Sequence, residues 1–212
     1  MFSDLSELHT AMIEIEPRNF VSHFIFEPVP FLFDGIVSDW IEWKTVLAEN
    51  IDVDPRDIVL TGSAALGYSL NPVKSFKSFD DNSDIDCGII SPHYFDISWR
   101  YLRQLRPSWL SLPSKTKFAI KCHRERYIFS GTIAADSILE LLPFGKEWMS
   151  ALERMSQIVP TNGRQVKLRI YKDFDSLRYY QASNISSLRQ DLVAPVEEDS
   201  GDSEISVIST EE

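Results

Sequence analysis

Ile58-Val59-Leu60-Thr61-Gly62-Ser63-Ala64-Ala65-Leu66-Gly67 and, further on, Ser83-Asp84-Ile85-Asp86-Cys87-Gly88-Ile89-Ile90 are the two stretches that decide the fold. Strand side chains alternate with period two, so Asp84 and Asp86 project to one face while Ile85 turns to the core. The apolar run after the acids marks a buried strand. There two neighbouring carboxylates repel each other, and an unpaired charge is costly. A hard divalent cation, Mg²⁺ or Mn²⁺, relieves both costs by taking carboxylate oxygens. Gly62-Ser63 closes the apolar strand at 58–60 and opens a segment of small residues. Such a turn leaves backbone N–H groups and a hydroxyl free to hold phosphate oxygens at a helix N-terminus.

In this order the motifs resemble those of the DNA polymerase β superfamily of nucleotidyltransferases: an apolar strand, Gly-Ser, Asp-x-Asp on the next strand, and a third acid on a later one. The resemblance covers residues 56–92 and returns at 138–145. There Leu139-Glu140-Leu141-Leu142-Pro143-Phe144-Gly145 is similar to the family's third-carboxylate strand, which makes Glu140 the implied third acid. Two departures stand out. The family usually has Asp where Glu140 stands, and residues 71–82 lengthen the path from Ser63 to Asp84 as an inserted loop carrying Pro72, two lysines and two phenylalanines. Taken singly the motifs are weak, because Asp-x-Asp is common in loops and Gly-Ser is a generic turn.

The resemblance implies an α/β (α+β) fold with a mixed sheet and helices packed on one face. It implies transfer of a nucleoside monophosphate from an NTP to a hydroxyl acceptor on RNA, a protein or a small molecule. Asp84, Asp86 and Glu140 would be the catalytic and metal-binding acids. Gly62 and Ser63 would seat the phosphates, with Lys167 and Arg169 stabilising their charge. The nearest resemblance is to stand-alone bacterial nucleotidyltransferases, including toxins, so a toxin–antitoxin or antiphage setting is an expectation on that ground. The alternative is an inactive nucleotidyltransferase fold used as a binding or scaffold subunit. The Glu at 140, the insertion and the aromatic N-terminal segments favour it.

The 212 residues suit one domain with extensions: an N-terminal extension at 1–36 packed on a core domain at 37–194, and an acidic tail at 195–212. Most of the net charge of −11 sits in that tail, which has seven acids and no base from Val196 to Glu212. Its composition predicts disorder and either a solubilising role or docking to a partner protein or to this chain's basic residues. Helices are expected near 5–15, 38–49, 95–106, 146–157 and 174–192, and extended aromatic segments at 20–26 and 28–33. Residues 115–129 interleave Lys115, Lys117, Lys121, Arg124 and Arg126 with apolar residues and read as a strand pair with a basic face, a solvated surface or a polynucleotide track. In 166–171 basic and apolar residues alternate strictly, which predicts a second basic strand.

Cys87 and Cys122 lack metal-ligand spacing and read as buried reduced thiols. None of the four histidines pairs with another at ligand spacing, and His123 reads as a surface strand residue within reach of phosphate. No Gly-Lys-Ser loop or dinucleotide fingerprint occurs. No apolar run reaches membrane-spanning length and no signal pattern opens the chain, so a soluble cytoplasmic protein is expected.

Overall fold

The structure, a computed structural model, describes residues 2–71 and 74–193. Its centre is a four-stranded mixed sheet in the order β1 (Ile58–Thr61), β2 (Ile85–Ile90), β4 (Val166–Tyr171), β3 (Thr132–Ile133). β1 runs antiparallel to β2, β2 parallel to β4, and β3 antiparallel to β4. The register pairs Thr61 with Asp86, Asp86 with Lys167 and Gly88 with Arg169. One sheet face therefore carries Thr61, Asp86, Gly88, Lys167, Arg169 and Tyr171. The other carries Ile58, Leu60, Ile85, Cys87, Ile89, Val166, Leu168 and Ile170, all buried.

Helices cover both faces, not one. α8 (Phe174–Val193) lies over the Asp86 face: a Cβ on Gly88 would sit 2.7 Å from Leu177 Cδ1, and Tyr180 meets Arg169. α7 (Gly145–Gln157) packs against β4 and against α3 (Val37–Ile51), and the two place Trp148, Ala151 and Met155 beside Trp43, Leu47 and Ile51 in the core. Trp43 Nε1 donates to Thr161 Oγ1 at 2.9 Å, so the one polar atom of that buried indole is satisfied. The one-face expectation came with the resemblance, and this sheet departs from it because Gly88 on the Asp86 face leaves room for Leu177 of α8. α5 (Pro92–Gln104) begins three residues earlier than expected, with Ser91 capping the Tyr94 amide and Pro92 at the first helical position.

The N-terminal residues belong to the core. α1 (Leu5–Glu14) starts at Asp4, whose carboxylate caps the Glu7 amide, and α1 and α2 (Pro17–Val21) both pack on α8. Arg18 binds Asp175 of α8 at 2.5 Å. Residues 20–26, expected as extended, form the end of α2 and a π-helical turn, Ser22–Phe26, and Phe31–Phe33 is a 3₁₀ turn. Helical spacing brings Phe20, Val21 and Ile25 to one buried face, which alternation could not do.

Residues 115–129 also differ from expectation. They form α6 (Ser114–Cys122) and a π-helical turn, His123–Tyr127. The buried positions are Ala119 and His123, four apart, while Phe118 and Phe129 are exposed. His123 is thus no surface residue. Its Nε2 accepts from the Ala134 amide at 3.0 Å, so the proton sits on Nδ1, which donates to the Ala119 carbonyl at 2.7 Å. Both cysteines are free, Cys87 buried and Cys122 half-buried. The acidic tail lies outside the described residues. No single helix among the described residues is long and apolar enough to cross a membrane, and the bent pair Pro17–Phe33 with Val37–Ile51, which passes by length and composition, contributes Phe20, Val21, Trp43 and Leu47 to the core.

Candidate active site

The end of β1 and the start of β2 lie side by side, and this adjacency builds the site. Gly62 follows Thr61 with φ +63°, a backbone that L side chains rarely adopt. A Cβ there would lie 3.0 Å from Asp86 Oδ2, so only glycine lets the turn pass this close to the carboxylate. Gly62 opens α4 (Gly62–Leu66), a helix of five residues capped by Gly67. It is too short to supply the helix-terminus field expected for phosphate. The turn instead offers close backbone approach and the Ser63 hydroxyl.

Asp84 precedes β2, and its Oδ2 lies 2.6 Å from Lys167 Nζ, with both side chains about one-third exposed, 30% and 32%. Asp86 is more enclosed, and its carboxylate makes no hydrogen bond among the described residues. Burial pushes its pKa above the ordinary carboxylate value, Arg169 and Lys167 pull it down, and Asp84 and Asp136 push it up again. Arg169 donates to the Tyr180 hydroxyl and lies over the rings of Tyr180 and Tyr127, at 5.1 and 5.8 Å. A cleft of about 290 Å³ gathers these groups. Gly62, Ser63, Asp84, Asp86 and Arg169 line it with Lys74, Tyr180, Gln181 and Asn184.

Five of the expected site residues thus share one cleft, and Lys167 reaches it through Asp84. Glu140 does not join them. It is exposed in a 3₁₀ turn, Leu139–Leu141, and lines a different cleft with Lys115 and Glu153, a cleft that Lys167 and Asp136 also line. The expected strand cannot form because the chain doubles back there: a Cβ on Gly145 would fall 1.7 Å from the Leu139 carbonyl oxygen. The third carboxylate whose field reaches Asp86 belongs to Asp136, in the 3₁₀ turn Ala135–Ser137 after β3. Its signal in the sequence was the run Thr132-Ile133-Ala134-Ala135 ending in an acid. Lys74 was missed because the 71–82 loop read as an insertion. Comparison of the chain with protein-family models, with curated proteins and with solved structures returned no match. The site is therefore read from its own chemistry.

That chemistry suits a divalent cation in part. Asp84 and Asp86 supply hard oxygen donors, and Mg²⁺ ordinarily takes one or two carboxylates and completes its shell with water and substrate phosphates. Among the described residues no group of three His, Cys, Asp or Glu side chains is placed to hold a metal. The Lys167 ammonium also competes for Asp84.

Proposed function

We propose that the chain is a metal-dependent nucleotidyltransferase that moves a nucleoside monophosphate from an NTP to a hydroxyl acceptor. The observation that carries this reading is the approach of Gly62 to Asp86 in a cleft that also holds Ser63, Asp84 and Arg169. A glycine-led turn against a buried carboxylate sets the turn backbone and the Ser63 hydroxyl beside the acid, so that a phosphate held by the turn and a cation held by the carboxylate would be neighbours. Asp84 and Asp86 would hold the cation, which when bound supplies charge neutralisation at the transferring phosphoryl group. Ser63 donates to a phosphate oxygen. Arg169, held by Tyr180, presents a fixed positive charge that needs no reorganisation as negative charge shifts toward the leaving pyrophosphate. α8 closes over the cleft and limits water, which would otherwise compete with the acceptor.

The test is incubation of purified protein with each α-labelled NTP, Mg²⁺ or Mn²⁺, and total RNA or cell lysate. Label in an acceptor that Asp86→Asn eliminates supports the reading. No transfer with any nucleotide and any acceptor counts against it. The Lys167–Asp84 pair favours a second reading, a nucleotide-binding scaffold without turnover, because the ammonium satisfies one of the two carboxylates. NTP binding without transfer would select it.

A further inference from the structure

Two of the three cations at the cleft among the described residues are held by a side-chain partner. Lys167 is engaged by Asp84, and Arg169 is held by Tyr180 beside Asp86. Lys74, the other cation lining the cleft, has no ion pair among the described residues. It stands on a loop that the sequence presents as an insertion. That loop is held at several points. The Ser69 amide donates to the Lys77 carbonyl and the Phe79 amide to the Gly67 carbonyl, at 2.9 and 2.8 Å. Asp81 binds Arg164 at 2.6 Å, and the Arg164 guanidinium lies over the Phe79 ring.

Next to Lys74 the backbone is strained. Ser75 and Phe76 take φ +43° and +55°, and a left-handed conformation at an aromatic residue persists only where packing enforces it. Phe76 packs against the core, and the His9 ring of α1 meets its ring edge-on at 4.6 Å. His9 Nε2 is buried without a hydrogen-bond partner among the described residues, so this histidine serves the ring contact at a polar cost.

We infer that Lys74 is the residue that holds the β- and γ-phosphates of the nucleotide, and that Phe76 packed edge-on against His9 is the latch that aims it. This assignment rests on the nucleotidyl-transfer reading and adds to it the group that distinguishes a triphosphate from a monophosphate. Lys74 touches substrate, whereas His9 and Phe76 act through it as positioning residues. The left-handed turn fixes the direction in which Lys74 leaves the loop. The His9 contact transmits that constraint from α1, which packs on α8 beside the same cleft.

The experiment measures binding of each NTP and the matching NMP to the full chain with Mg²⁺, by titration calorimetry. Loss of one charge-assisted contact predicts that Lys74→Met weakens NTP binding at least about tenfold and leaves NMP binding unchanged. Lys74→Arg keeps the charge and retains NTP affinity within about threefold of wild type. His9→Ala lowers the NTP-to-NMP preference without removing it. A wild-type NTP-to-NMP ratio in Lys74→Met overturns the assignment and leaves the nucleotide site standing. Failure of the unaltered protein to bind any nucleotide overturns the functional reading and this assignment with it. Circular dichroism of each variant separates these outcomes from misfolding.

Discussion

Gly62→Ala isolates the geometry on which the functional reading depends. At φ +63° an alanine is forced into the left-handed region, which costs roughly 1–2 kcal/mol. Its Cβ would also lie 3.0 Å from Asp86 Oδ2, so the carboxylate must shift by a few tenths of an ångström. Gly35→Ala is the matched control, because Gly35 has φ +77° with nothing within 4 Å of a Cβ. For a chain of this size each kcal/mol moves Tm by about 2–4 °C, so both variants should melt about 2–8 °C below wild type. They should part on ligand. At a hundredfold excess over Kd a ligand stabilises by about 2.7 kcal/mol, which corresponds to a Tm rise of about 5–11 °C with Mg²⁺ and NTP. Gly35→Ala should keep that rise, while Gly62→Ala should lose more than half of it, because Asp86 has been pushed out of line. The assay is differential scanning fluorimetry with and without Mg²⁺ and each NTP. Equal ligand shifts in the two variants would refute the argument that closeness to Asp86, and not turn conformation, explains this glycine.

Burial raises the Asp86 pKa above its ordinary 3.8, so the folded protein holds that proton more tightly than the unfolded chain. The resulting stability is present in acid and lost as pH rises through the folded pKa. Asp86→Asn escapes the loss, so its Tm advantage over wild type without metal should grow from about pH 4 to about pH 7, and a flat difference would count against burial as the cause. His123 behaves in the opposite sense: burial lowers its pKa below 6.5, so its contribution is intact above that value and falls away as pH drops toward the folded pKa. His123→Ala should cost about 2–4 kcal/mol in denaturant titrations, since it orphans the Ala134 amide and opens a cavity, and it should flatten the decline in stability below about pH 6.5. Lys167→Met frees Asp84 at a stability cost under about 1 kcal/mol, as expected for a pair one-third exposed. It should tighten Mn²⁺ binding without nucleotide and weaken NTP binding with metal; unchanged or weaker Mn²⁺ binding would show that Lys167 does not compete with the cation.

The sequence by itself determined the strands at 58–61, 85–90 and 166–171, because each is a short apolar or alternating run bounded by turn residues, where period two admits one reading. It also determined the long helices α3, α5, α7 and α8, whose buried residues recur at three- and four-residue spacings, and it placed Asp84 and Asp86 on the face that meets Gly62. Tertiary structure alone decided the rest. Lys115 and Lys117 alternate like strand residues, but burial of Ala119 and His123 four apart turned that segment helical. Glu140 sits in an apolar frame that suits a strand, yet the chain folds back so that Gly145 meets Leu139, an approach only glycine admits, and the carboxylate faces another cleft. Asp136 stands in the turn after a two-residue strand and Lys74 in a loop, and neither position shows by itself which charge it will face. What brought them toward Asp86 was the pairing of β3 with β4 and the fold-back of residues 74–82 onto residues 67–69. Local periodicity reports which face of an element is buried. The company a charge keeps depends on contacts between residues far apart in the chain, and no window of sequence contains both partners.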